Sequence, residues 1–167
     1  MIITGNKLLL KIKIRKMIKV KIFNESKFLE PTYLPEYKSL GASGVDLRAD
    51  IEEDIVLHPM QRILVSSGLR LSIPQGYEAQ VRSRSGLTVK NGVIVLSPGT
   101  IDSDFRGVVG IPLANLGDDD FVIHRGDRVA QLVFQKVEIA CFEPVTCIQE
   151  LGATDRGDGG FGHTGVK

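Results

Sequence analysis

The sequence predicts an all-β protein, a distorted antiparallel jelly roll or barrel with one short helix. Composition is the first sign: 18 of 167 residues are glycine, tryptophan is absent and aromatics make up only 6%. Such a chain favours strands and turns over packed helices. The second sign is a succession of about ten short apolar runs, close enough together for a two-sheet or closed antiparallel architecture. The third is the punctuation between them, "HPMQ", "IPQG", "SPG", "LGDDD" and "HRGD", all turn chemistry. There is no internal repeat and no sign of a second domain.

The first 24 residues carry seven Lys or Arg and no acid. From Lys11 basic and apolar residues alternate, slipping once at Arg15–Lys16, which suits a strand better than an amphipathic helix. Met17 opens a self-contained strand, "MIKVKIF", and is an alternative start. Residues 1–16 are therefore read as a basic extension, 17–153 as the β-domain and 154–167 as a flexible Gly-rich C-terminal lid. After the turn-rich "LEPTYLPEYKSLGASG", strands are expected at Val45–Ala49, Asp54–His58, Arg62–Val65, Leu69–Ile73, Tyr77–Ser83 and Val93–Leu96. Others follow at Gly107–Ala114, Phe121–His124, Arg128–Glu138 and Phe142–Glu150. The short helix is expected at Leu87–Asn91, after "RSRSG".

A net charge of +1 argues against a nucleic-acid partner. No run reaches the roughly 18 apolar residues of a membrane span, and no signal peptide is visible. The expectation is a cytoplasmic protein without membrane contact. Cys141 and Cys147 lack a nearby histidine pair and read as reduced, part-buried thiols.

Five polar or glycine-rich clusters interrupt the strand pattern. In "GASGVDLRA", Asp46 stands between apolar residues and alone reads as a turn carboxylate. "VRSRSGLTVKNG" fits either a phosphate cradle of guanidinium, hydroxyl and helix N-terminal amides or a solvated basic face with an N-cap serine. In "LSPGTIDSDFRG", Pro98–Gly99 suggests a tight hairpin, followed closely by Asp102, Asp104 and Phe105. A carboxylate fixed there could deprotonate a water while the ring packs on a sugar or base; ordinary turn chemistry is the alternative. The acids of "LGDDDF" read as a solvated loop. "HRGDRVAQLVF" puts Gln131 inside an apolar strand, where its amide needs either a backbone partner or a ligand. Finally, "TDRGDGGFGHTG" is rich in glycine, each residue costing about 1–2 kcal/mol to order. Its Arg156, Phe161, His163 and Thr164 suit an anion joined to a flat ring.

Taken in order, "GVDLRA", "RSGL", "GTIDSDFRG", "GDRVAQLVF" and "DRGDGGFGHTG" resemble the five motifs of the trimeric dUTPase family, bacterial type. The resemblance spans about Met17 to Gly165. It implies a jelly-roll homotrimer with three shared sites, dUTP as substrate, and hydrolysis to dUMP and pyrophosphate with Mg²⁺. Asp102 corresponds to the general base that aims water at the α-phosphorus. Arg84, Ser85, Gly86 and Gln131 correspond to phosphate ligands, joined by Arg156, His163 and Thr164 from the tail. Leu96, Gly99, Thr100, Ile101, Asp102 and Phe105 correspond to the uracil and deoxyribose pocket, with Phe161 as its cover. Asp46 would support Mg²⁺ from a distance, through water.

Two departures stand out: Phe105 occupies a position where many members carry tyrosine, and Leu96 directly precedes Ser97, one residue short of the common Asn–Ser–Pro–Gly. The related dCTP deaminases would need an acid/base glutamate that has no counterpart here. A non-catalytic nucleotide sensor could keep Arg84 and Arg156 but would have no need for Asp102.

Overall fold

The structure is a computed structural model and describes residues 17–30, 33–97 and 99–160. The expected basic extension, 1–16, lies outside them. The chain divides into two compact units, one up to Val137 and a second from Glu138 onward.

In the first unit, strands β1 (Lys21–Asn24), β4 (Arg62–Ser72), β8 (Val108–Asn115) and β6 (Val93–Val95) form one sheet in the order β1-β4-β8-β6. Strands β2 (Gly44–Arg48), β10 (Arg128–Lys136), β5 (Tyr77–Arg82) and β7 (Gly99–Ile101) form a second, in the order β2-β10-β5-β7. A two-stranded ribbon joins β3 (Ile55–Leu57) to β9 (Phe121–Ile123). All pairings are antiparallel. His58–Asp120 and His124–Asp54 pairs, each at 2.7 Å, close the two ends of the ribbon.

Inward residues of both sheets and the ribbon meet in one apolar core. Val65, Leu69 and Ile111 come from the first sheet, Leu47, Val81 and Leu132 from the second, Leu57 and Ile123 from the ribbon. Period-two alternation puts every second side chain of a strand on one face, so a half-apolar strand buries one face and leaves the other for polar groups. The all-β expectation holds, and α1 (Ser85–Asn91) is the one α-helix among the described residues.

Three local expectations change. Arg62–Val65 and Leu69–Ile73 are parts of one long strand, because "SSG" makes an irregularity within β4 instead of a turn. Gly68 supplies the positive φ of 67° that this kink requires, a conformation costly for other residues. β6 and β7 belong to different sheets, so no hairpin ladder joins them among the described residues.

Nor is Phe142–Glu150 a strand. Pro144 cannot donate to a ladder, and the Glu150 carboxylate instead accepts from Thr146 N–H at 3.2 Å and from its hydroxyl at 2.6 Å. These bonds hold its carboxyl below the usual range and tie down a 3₁₀ turn, Ile148–Leu151. Outside any strand, Cys141 and Cys147 are exposed free thiols, not part-buried ones. No helix among the described residues is long and apolar enough to cross a membrane.

Candidate active site

Register across the second sheet aligns Asp46 on β2 with Gln131 on β10, and Gln131 with Arg82 on β5. Cross-strand partners point to the same face, so a polar row runs over three strands opposite the apolar core. Asp46, with a side chain only 16% exposed, lies between two guanidiniums. Arg84 Nε is 3.3 Å from its Oδ1, and Arg128 Nη1 is 3.5 Å from its Oδ2. Arg84 Nη1 also donates to the Arg128 carbonyl at 2.6 Å. A guanidinium carries five N–H donors, so Arg84 is anchored twice and keeps donors for an anion.

Arg84 is also the N-cap residue of α1, in extended conformation and without a side-chain cap bond. Ser85 is therefore not an N-cap serine; it and Gly86 are the first helical residues. Their N–H groups have no acceptor within the helix. Tyr33 braces the neighbourhood from below: its hydroxyl donates to the Asp46 carbonyl at 3.0 Å, and Arg48 stacks 5.2 Å from its ring centroid. Burial raises the Tyr33 phenol above its ordinary range, with Arg48 partly opposing. It stays a neutral donor.

A second group of predicted residues collects around β7. Among the described residues this strand pairs through one edge only, Gly99 with Val81, Thr100 with Gln80 and Ile101 with Ala79, and it is the last strand of its sheet. The opposite edge presents backbone N–H and C=O groups without a ladder partner, a ready surface for the edge of a base. Ile101 is buried in the core, so only its backbone is available to a ligand. Asp102 follows at once and is exposed, as strand alternation requires. Its carbonyl accepts from Phe105 N–H at 3.2 Å, closing a turn. The Phe105 ring lies so close over Gly107 that a Cβ there would collide with it. Leu96 is half exposed, and its N–H is spent on the Pro112 carbonyl at 2.8 Å.

The fold thus assembles Asp46, Arg84, Ser85, Gly86 and Gln131 in one place and Gly99, Thr100, Ile101, Asp102 and Phe105 in another. Asp46 and Thr100 stand on opposite margins of their sheet, three strand spacings apart across it and two residues apart along it. Of the tail residues, Arg156 lies in the second unit, where its Nε donates to the Gly159 carbonyl at 2.7 Å. Phe161, His163 and Thr164 lie outside the described residues.

Comparison with known proteins settles the family. The dUTPase family model matches residues 30–165. The chain belongs to the dUTPase family. A deoxyuridine 5'-triphosphate nucleotidohydrolase of Chlamydia muridarum is 58% identical over 133 residues, covering 79% of this chain and 90% of that protein. One from Finegoldia magna is 48% identical over 149 residues, covering 89% and 99%.

Among solved structures, the dUTPase of Staphylococcus bacteriophage 80alpha with dUPNHPP superposes with a TM-score of 0.79 at 24% identity, covering 90% of this chain and all of that one. A point-mutant dUTPase from phage phi11 of S. aureus, described with a structural Mg(II) ion, gives 0.70 at 22% identity, covering 79% and 99%. These two likenesses speak for the fold.

Two residues that brace the dUTPase-family motifs were missed in the sequence. Arg128 stands in "GDRVAQ", where plain alternation would turn it toward the core with Ala130. Tyr33 lies well before the first motif, and only tertiary contact reveals it.

Proposed function

We propose that the chain hydrolyses dUTP to dUMP and pyrophosphate, a dUTP diphosphatase whose sites are shared between copies of a homotrimer. The observation supporting this most is the anchored arginine–carboxylate group of Asp46, Arg84 and Arg128, on a sheet whose end strand β7 runs into Asp102. Within one chain Asp46 and Thr100 lie on the two outermost strands of the sheet. A neighbouring copy could bring its phosphate set to the first chain's base set, which a triphosphate nucleotide would then bridge.

In this reading the free edge of β7 pairs with uracil through Gly99, Thr100 and Ile101, whereas cytosine presents the opposite donor and acceptor. Leu96 walls the pocket, and too little room at C5 rejects the thymine methyl. Phe105 packs on deoxyribose and offers no partner to a 2′-hydroxyl. Burying that group unpaired costs about 1–3 kcal/mol, roughly 5- to 150-fold against UTP, with shape exclusion adding the rest.

Asp102 holds the attacking water and takes its proton as the water strikes the α-phosphorus in line. Arg84, the hydroxyl of Ser85 and the N–H of Gly86 bind phosphate oxygens, and Gln131 contacts phosphate or a metal-bound water. Arg156, His163 and Thr164 meet the γ-phosphate while Phe161 covers the base, so that the tail, 154–167, acts as a lid that excludes water.

Among the described residues no three His, Cys, Asp or Glu side chains converge as a metal cage. Asp46 and Gln131 are instead a cross-strand pair of oxygen donors, a set that fits Mg²⁺ keeping its waters and taking phosphate oxygens. Asp46 would hold it through water. When bound, Mg²⁺ neutralises charge on the phosphates and the leaving pyrophosphate. We place the reaction in the cytoplasm, lowering dUTP and supplying dUMP for thymidylate synthesis.

The test is a substrate panel. Purified protein with Mg²⁺ is given dUTP, dCTP, dTTP or UTP in ¹⁸O-water, and products are identified by mass. Pyrophosphate from dUTP alone, with the label in dUMP, is expected. Label in pyrophosphate would move the attack off the α-phosphorus, and deaminated product from dCTP would replace the reading by its nearest rival.

A further inference from the structure

We infer that Arg128 is a positioning residue for the phosphate-binding group, delivered to it by a bulge at Val129. The inference rests on the reading of Asp46 and Arg84 given above.

Along β10 the register runs Leu132 to Val45, Gln131 to Asp46 and Ala130 to Leu47, then shifts so that Arg128 faces Arg48. Val129 is the extra residue. A bulge resets the alternation of a strand and re-aims the side chains beyond it. The consecutive residues Val129 and Ala130 are both buried, at 2% and 0% exposure, as the register shift requires. Without it Arg128 would share the inward face of Ala130. With it Arg128 emerges on the face of Gln131 and Asp46.

There Arg128 holds both partners at once. Its guanidinium is 3.5 Å from Asp46 Oδ2, and its carbonyl accepts from Arg84 Nη1 at 2.6 Å. Arg84 Nε returns to Asp46 Oδ1 at 3.3 Å, closing a ring of three residues. The Arg128 side chain is half exposed, and an ion pair so wet contributes little to stability. What the ring does is fix direction. It turns one carboxylate oxygen toward each arginine and holds Arg84 in one orientation, so that its remaining donors are aimed before an anion arrives. The group Arg128 serves carries the anion chemistry; Arg128 acts through it.

The test is a double-mutant cycle on the full chain with Mg²⁺ and dUTP, using Arg128→Gln, Asp46→Asn and the pair. Arg128→Gln should lower kcat/KM by about 10- to 100-fold, the usual effect of removing a group that orients a ligand-binding residue. Its thermal midpoint should move by no more than about 4 °C. The carbonyl that accepts from Arg84 is main-chain and stays in every variant, so Arg128→Lys, which keeps the charge beside Asp46, should recover part of the loss. In the Asp46→Asn background the further loss from Arg128→Gln should shrink to about twofold or less. Where turnover falls below detection, affinity for a non-hydrolysable dUTP analogue gives the same cycle.

Full additivity, or an Arg128→Gln enzyme with unchanged kcat/KM, would overturn the inference and leave the dUTPase reading intact. If Arg128→Gln does not fold, Arg128→Lys carries the cycle: a loss that vanishes with Asp46→Asn supports the inference, and one that persists, or no loss, overturns it. A wild-type chain that releases no pyrophosphate from dUTP would overturn the functional reading itself, and this inference with it.

Discussion

Phe105 rests on Gly107, and that contact gives selectivity a test at the level of one atom group. Gly107→Ala would push the ring off its seat, because the added methyl collides with it. The expected result is a higher KM for dUTP and weaker discrimination against UTP, both read from steady-state kinetics; unchanged constants would separate the ring from the sugar. Tyr33→Phe removes the hydroxyl that donates to the Asp46 carbonyl. It should cost about 1 kcal/mol of stability in urea unfolding.

The ordered family motifs singled out Asp102, Arg84 and Gln131 in the sequence; read alone, each also suited turn chemistry, a solvated basic face or a backbone partner. Arg128 was hidden by its own strand: "GDRVAQLVF" carries no mark of a bulge, and simple alternation gives the wrong face.

Elements were legible wherever a strand was bounded by real turns, as at Tyr77–Arg82 and Phe121–Ile123. They were misread where the same residues do a different job. "SSG" bends β4 instead of ending it, and β7 reads as part of a turn because three residues, "GTI", are too few for a period. Phe142–Glu150 alternates like a strand, yet an intervening proline and the grip of Glu150 on Thr146 give the 3₁₀ turn instead. That segment leads into the proposed lid. A chain lacking residues 154–167 should lose most of its turnover while keeping its melting temperature and oligomeric state. A large fall in melting temperature would make the tail a structural element and not a lid.

At the scale of the whole molecule, the distance between two halves of a site is what matters. Asp46 lies on β2 at one margin of its sheet, Gln131 on β10 and Arg84–Gly86 just past β5, while the base set lies on and just after β7 at the other margin. A closed three-fold assembly repeats one contact three times, so each copy can offer its phosphate set to a neighbour's base set. Light scattering should therefore give about three times the chain mass of 18.3 kDa. The most direct measurement mixes two dead enzymes. Asp102→Asn and Arg84→Ala chains, each alone reduced about 100- to 10,000-fold in turnover, are unfolded together, refolded at equal amounts and given dUTP with Mg²⁺. If the site is shared, roughly a quarter of wild-type turnover returns, from sites that draw an intact Asp102 from one chain and an intact Arg84 from another. A mixture that co-assembles and stays as inactive as its parents would contradict the account.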